Sequence, residues 1–147
     1  FDSFLVLRGL KTLHLRMQRH CENAEKIARF LNNHPKVEKT YWPGFPTHKN
    51  HDVAKAQMEG FGGMVSFTLK GNKLEDAKKI ASSTILFSLA ESLGGVESLI
   101  GHPATMTHAA IPYEKRQESG VLDSLIRLSV GVEDADDLIE DLKKAMA

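Results

Sequence analysis

Phe87-Ser-Leu-Ala-Glu-Ser-Leu-Gly-Gly-Val-Glu-Ser-Leu-Ile-Gly-His-Pro-Ala-Thr-Met-Thr-His-Ala109 mixes polar and apolar residues without the regular alternation of a solvated strand. Gly94-Gly95 and Gly101-His-Pro103 interrupt it where a backbone turns sharply or approaches another group closely. Any strands here are therefore expected to be short. Polar side chains beside tight turns are typical of a small-molecule site, although ordinary turn chemistry explains the same residues.

Upstream of this stretch, the amino-terminal part of the chain has helical periodicity. Apolar residues recur at helical spacing from Phe4 to Leu31, which predicts one long amphipathic helix with a kink near Gly9. The residue before Pro35 avoids the α region, so the helix should end there. Such a helix often joins two domains, and a plain core helix is the alternative. We assign residues 1–34 to an interdomain helix and residues 35–147 to a small α/β domain.

The remaining periodicities alternate between strands and helices. Strands are predicted at residues 37–42, 64–69, 85–89 and 125–132, with a further strand inside the central stretch. Helices are predicted at residues 47–58, 73–82, 112–118 and 135–145. Short strands joined by tight turns favour a mostly antiparallel sheet with helices layered on one face, an α/β fold of the α+β layered kind. The other face of the sheet would be free for a partner domain or a ligand.

Composition narrows the class of protein. The chain has 147 residues, 41% of them hydrophobic and 26% charged, which fits one globular domain. Its formal net charge is +0, so the charge gives no reason to expect nucleic acid or a membrane surface as a partner. Cys21 is the single cysteine and cannot form an internal disulfide. No apolar run reaches the roughly 20 residues of a membrane span, so the cytoplasm is the expected location. The chain starts on a helical pattern at Phe1 without Met, and we expect it to come from a longer protein.

His48 and His51 have the i, i+3 spacing of a metal pair. No third ligand lies nearby in the sequence, and an exposed polar turn explains both residues. We therefore expect no metal site.

Arg127 is the charged residue whose position is most informative. Ile126, Leu128 and Val130 share one face of the last predicted strand, so Arg127 points to the opposite face. A guanidinium in mid-strand needs an anionic partner, because a buried unpaired charge is very costly. That partner is either a structural carboxylate of the same chain or the carboxylate of a substrate, which matches the planar fork of arginine.

Several segments, in order along the chain, resemble one enzyme family. They are Arg8-Gly-Leu-Lys-Thr-Leu-His14, Tyr41-Trp-Pro-Gly44, Gly62-Gly-Met-Val-Ser-Phe67, Glu91-Ser-Leu-Gly-Gly-Val-Glu-Ser-Leu99, His102-Pro-Ala-Thr-Met-Thr-His108 and Leu125-Ile-Arg-Leu-Ser-Val-Gly-Val-Glu-Asp134. Together they resemble the carboxy-terminal small domain of the pyridoxal-phosphate enzymes of cysteine and methionine metabolism, of the type I transferase fold. Within that transsulfuration group the likeness is strongest to cystathionine γ-synthase and cystathionine γ-lyase.

The resemblance implies roles for individual residues. Arg127 occupies the place of the arginine that binds the α-carboxylate of the amino-acid substrate in such enzymes, Ser92 lies beside that carboxylate, and Thr107 borders the site. Glu91 stands where enzymes acting at the γ carbon typically carry Glu, which implies γ chemistry on cystathionine or a homoserine ester. A carboxylate there could hold the distal amino group of such a substrate.

The resemblance also implies what this chain lacks. The cofactor, pyridoxal 5'-phosphate, and its Schiff-base lysine belong to the preceding domain of such enzymes. Lys11 lies in a different motif, so no catalytic or cofactor-binding residue is expected here and the chain alone should be inactive. The implied partners are an amino-acid substrate (cystathionine, a homoserine ester or cysteine), the missing amino-terminal domain and further copies in a homotetramer. A stand-alone regulatory module that uses Arg127 as an anion receptor, and a purely structural dimerisation domain, are the alternatives.

Overall fold

The structure, a computed structural model, describes residues 1–147 and contains six helices and five strands. The helices are α1 (Asp2–Leu10), α2 (Leu13–Asn32), α3 (His51–Gln57), α4 (Leu74–Ser83), α5 (Tyr113–Glu118) and α6 (Ala135–Ala145). The strands are β1 (Val37–Tyr41), β2 (Met64–Leu69), β3 (Ser88–Leu89), β4 (Leu99–Gly101) and β5 (Ile126–Ser129). None of the helices combines the length and apolar character that a membrane crossing requires.

The five strands form one sheet in the order β1-β2-β5-β4-β3. The pairs β1–β2, β2–β5 and β5–β4 are antiparallel, and β3–β4 is parallel. The expected mostly antiparallel sheet is confirmed, with one parallel pair at its edge. The strand that carries Arg127 lies at the centre, hydrogen-bonded on both sides, and is therefore well fixed.

One face of the sheet packs against helices. Alternate residues of β2 and β5 are fully buried there, namely Val65, Phe67, Ile126 and Leu128. The helix layer buries side chains from α2, α4 and α6 against them, including Ile27, Leu31, Ala77, Leu138 and Leu142. Each large side chain buried in this way contributes about 1.5–3 kcal/mol. This layer confirms the expected arrangement and leaves the opposite face, with Arg127, outside the core.

The prediction of a single helix from Phe4 to Leu31 is wrong in one respect. The structure has two helices, with a break at Lys11–Thr12. The carbonyl of Gly9 accepts from the Thr12 backbone N–H (3.3 Å) and from the Arg16 guanidinium (2.9 Å), which closes α1. The apolar stripe also changes environment. It is exposed in α1 and buried only in the second half of α2, from His20 onward.

The predicted strand at residues 85–89 is shorter in the structure, since only Ser88 and Leu89 pair with β4. The backbone N–H groups of the residues just before β3 donate hydrogen bonds to the Asp141 side chain of α6. Its carboxylate accepts from the N–H groups of Ile85 (2.8 Å), Leu86 (2.9 Å) and Phe87 (3.1 Å). These residues are held by the helix layer and not by the sheet.

Candidate anion-binding site

Arg127 lies in β5, directly opposite Ser66 of β2 and Gly101 of β4. Its neighbours Ile126 and Leu128 are fully buried in the core, so the arginine points to the open face, as the alternation predicts. Gly101 provides no side chain to fill the space beside the guanidinium. A Cβ added at Gly101 would lie 3.3 Å from the carbonyl oxygen of Ala90, which is a tight contact.

The guanidinium of Arg127 forms no ion pair within the chain. Its Nη2 donates one hydrogen bond, to the carbonyl oxygen of Ser92 (3.2 Å). By contrast, the buried Arg116 of α5 forms an ion pair with Asp123 at 2.8 Å. Because a guanidinium has five N–H donors, Arg127 keeps most of its capacity for an anion from outside the chain.

A shallow cleft lies in front of Arg127, and the chain alone encloses almost no volume in it. Glu91 and Thr107 line it together with Arg127, so three of the residues singled out in the sequence come together. Ser92 joins them through its main chain, because its carbonyl contacts Arg127 while the residue itself is exposed. Ala90, Gly101, His102, Pro103 and Met106 complete the lining.

His102 is a cleft residue that the sequence did not single out, beyond marking a turn. It is buried, and its Nε2 lies 2.7 Å from the carbonyl oxygen of Asp123 while its Nδ1 lies 2.8 Å from Oγ1 of Thr105. A carbonyl oxygen can only accept, so we assign the proton to Nε2, and Nδ1 then accepts from the Thr105 hydroxyl. Both ring nitrogens are used, and His102 therefore supports the wall of the cleft. Gly101-His-Pro was the sequence signal that could have located it.

The charges in the cleft are of opposite sign. Arg127 provides a cation suited to a carboxylate, and Glu91 provides an anion suited to an ammonium group. Thr107 adds a hydroxyl, which is 2.8 Å from Nδ1 of His108. A zwitterionic ligand such as an amino acid matches this pattern.

The remaining residues considered in the sequence lie elsewhere. Lys11 is at the break between α1 and α2, beside Leu5 and Arg8. His48 accepts from the backbone N–H of Asn50 (3.3 Å), and His51 contacts the carbonyl oxygen of Pro43 (2.8 Å), so both rings serve local turns. Burial, followed by the nearby charge of Lys36, lowers the pKa of His34, which lies in the turn between α2 and β1.

These features define a small α/β domain whose central strand presents an arginine without an ion pair in a shallow cleft. The chain belongs to the family of Cys/Met metabolism PLP-dependent enzymes, whose family model matches residues 1–147.

Individual relatives agree over nearly the whole chain. Cystathionine beta-lyase of Coxiella burnetii is 58% identical over 146 residues, which is 99% of this chain and 38% of that protein. Cystathionine gamma-lyase of Bacillus subtilis is 54% identical over 145 residues, again 99% of this chain and 38% of that protein. The crystal structure of metB from Corynebacterium glutamicum superposes with a TM-score of 0.91 at 51% identity, covering 99% of this chain and 37% of that one. The chain thus spans well under half the length of the relatives it matches.

The cleft in front of Arg127 does not fit attachment of the cofactor that the family implies. Pyridoxal phosphate is held through a lysine Schiff base. No lysine is among the residues that line the cleft, and Lys11 lies at the α1–α2 break. The cleft provides a guanidinium for an anion but no lysine to which the cofactor could be attached.

Proposed function

We propose that this chain is the carboxy-terminal, substrate-carboxylate-binding domain of a pyridoxal-phosphate-dependent transsulfuration enzyme. The observation that carries the proposal is Arg127, presented by a rigid central strand into a cleft and free of any ion pair within the chain. In the complete enzyme the cofactor, bound by residues outside this chain, supplies the electron sink for the reaction. This domain contributes binding and orientation of the substrate, and alone it is inactive.

The substrate class follows from the two charges of the cleft. Arg127 takes the α-carboxylate through two parallel hydrogen bonds, which fix the direction of the amino acid as well as its position. Glu91 takes a distal ammonium group, as in cystathionine. We therefore propose γ-replacement or γ-elimination on a homoserine ester or on cystathionine. Because some relatives are named cystathionine beta-lyase, β-elimination is the second candidate.

The size of the cleft supports a shared site. Ligand pockets usually enclose about 300–1,000 Å³, whereas the cleft at Arg127 encloses about 0 Å³ within this chain alone. We propose that a preceding cofactor domain, reached through residues 1–34, forms the opposite wall. The exposed apolar side chains of α1, such as Phe4 (59%) and Leu7 (61%), fit a helix that packs against such a domain. We further propose that the complete enzyme is a homotetramer.

The carboxylate role is tested with Arg127→Ala in the full-length enzyme. We expect KM for the amino-acid substrate to rise about 10- to 150-fold, which corresponds to loss of a hydrogen-bonded charge pair. The absorbance of the bound cofactor should not change, because Arg127 is not a cofactor residue. Arg29→Ala is the matched control, since Arg29 is an exposed arginine of α2 paired with Glu25. An unchanged KM in the Arg127 variant would contradict the proposal.

Two assays separate the remaining alternatives. Activity with cystathionine alone indicates a lyase, and activity with an activated homoserine ester plus cysteine indicates a synthase. A stand-alone regulatory module would have no reading frame upstream of Phe1 that encodes a lysine-bearing cofactor domain. Sequencing the gene beyond that point distinguishes this module from an enzyme domain.

A further inference from the structure

The turn that contacts Arg127 has few attachments to the rest of the domain. Residues 91–95 lie outside the strands and are mostly exposed. Gly94 has φ of +77°, a left-handed conformation that favours glycine. Without fixed contacts, a Gly-Gly turn of this kind would be flexible.

Two hydrogen bonds connect this turn to the sheet, and each involves a side chain of β5. Arg127 donates to the carbonyl of Ser92 (3.2 Å), and the backbone N–H of Gly94 donates to Oγ of Ser129 (2.9 Å). Arg127 and Ser129 are successive residues on the same face of the strand. The turn is thus held across the end of β5 by both side chains.

Ser129 is a rigid anchor for this contact. It is buried, at 3% exposure, and its backbone is paired with Met64 of β2 and Leu99 of β4. A serine hydroxyl at such a position costs free energy unless it is hydrogen-bonded, and the Gly94 amide satisfies it. The position of the hydroxyl is set by the sheet, so the sheet sets the position of the turn.

We propose that Ser129 is a positioning residue for substrate-carboxylate binding. By fixing Gly94 it holds the carbonyl of Ser92 in place, and that carbonyl orients the guanidinium of Arg127 toward the cleft. Ser129 does not touch the substrate and acts through the turn. This inference rests on the proposed function and adds to it a residue outside the cleft lining.

The test compares Ser129→Ala, Ser129→Thr and Arg127→Ala in the full-length enzyme with cystathionine as substrate. In Ser129→Ala we expect KM to rise about two- to tenfold, the range for one hydrogen bond. We expect kcat to stay within about twofold, because the reacting atoms are not touched. Ser129→Thr retains the hydroxyl in a side chain that suits a strand and should restore KM.

Ser66→Ala is the matched control. Ser66 lies opposite Arg127 in β2, on the same face of the sheet, and its hydroxyl does not bond to the turn. We expect its KM to equal that of the unmodified enzyme. An equal rise in the Ser66 and Ser129 variants would indicate a general effect of the sheet and would overturn the proposal.

Hydrogen exchange at the Gly94 amide measures the contact directly in the folded protein, whatever the yield of the variant. We expect exchange at Gly94 to be faster in Ser129→Ala and unchanged in Ser129→Thr. Unchanged exchange and unchanged KM in Ser129→Ala would overturn the positioning role, as would a fall in kcat without a rise in KM. If Arg127→Ala also leaves KM unchanged, the proposed function itself fails. If KM rises in Arg127→Ala but not in Ser129→Ala, the proposed function stands and only the positioning role of Ser129 is contradicted.

Discussion

At the scale of single residues, Arg116 of α5 and Arg127 of β5 have different environments. Arg116 is buried and pairs with Asp123, as a desolvated charge requires. Arg127 is half-buried, faces the cleft and has a single carbonyl partner. Its remaining N–H donors have no partner within the chain and are open to an anion from outside it. Arg127 is thus suited to binding, whereas Arg116 is suited to holding the fold.

The alternation of apolar residues was sufficient to predict which way Arg127 points. It could not predict its partner, because the nearest acceptor is contributed by Ser92, 35 residues away along the chain. It also could not show that Ser92 contacts Arg127 through its main chain, since sequence patterns describe side chains. The same limit explains why no role for Ser129 could be predicted from the sequence.

Glu91 provides the residue-scale prediction about specificity. In Glu91→Gln the cleft loses its negative charge with little change in volume, so a distal ammonium group loses its partner. We expect the ratio of γ- to β-elimination products from cystathionine to fall in the full-length enzyme. Glu97→Gln is the control, because Glu97 lies in the same segment but does not line the cleft. An unaltered product ratio would remove Glu91 from the determination of specificity.

At the scale of elements, α6 does more than cover the sheet. The helix predicted at residues 135–145 is confirmed, and its apolar residues Leu138, Leu142 and Ala145 are buried. Asp141 lies among them, 6% exposed, and accepts three backbone hydrogen bonds from residues 85–87. In the sequence, the only indication of this contact was a carboxylate among the apolar residues of the helix. Its partners, more than 50 residues distant, could not be read from local spacing.

Asp141→Asn tests this contact. The amide keeps one acceptor but turns a donor toward backbone N–H groups, so we expect the free energy of unfolding to fall by about 1.5–3 kcal/mol. Urea denaturation measures the change. Glu140→Gln is the control, since Glu140 is exposed and its lysine contacts are 3.8 Å long, and it should change stability by less than about 0.5 kcal/mol. Equal effects in the two variants would contradict the role of Asp141.

At the scale of the whole molecule, local periodicity predicted the order of elements and the layered architecture. The break in the first helix was missed because the apolar stripe continues through it. Only tertiary contacts distinguish its two parts. Residues of α2 from His20 onward pack against β1, β2 and α6. His20 and Asn23 also contact the carbonyls of Val130 and Gly131, just after β5, at 2.6 Å and 3.0 Å. The side chains of α1 are exposed.

The absence of a lysine from the cleft gives a prediction for the 147-residue chain. Because no lysine lines the cleft, the 147-residue chain mixed with pyridoxal phosphate and then dialysed should retain no stoichiometric cofactor absorbance. The full-length enzyme, treated in the same way, is the positive control. Stoichiometric retention by the 147-residue chain would show that it contains a cofactor-binding lysine.

The central claim is that Arg127 binds the carboxylate of an amino acid. Its most direct test is the inhibition of the full-length enzyme by L-norvaline and by butylamine, which differ only in the carboxylate, before and after Arg127→Ala. We expect the unmodified enzyme to bind norvaline about 10- to 150-fold more tightly than butylamine, the range for hydrogen bonds to a charged group. In the Arg127 variant this preference should disappear, while Arg29→Ala should retain it. A preference of the same size in Arg127→Ala would contradict the claim.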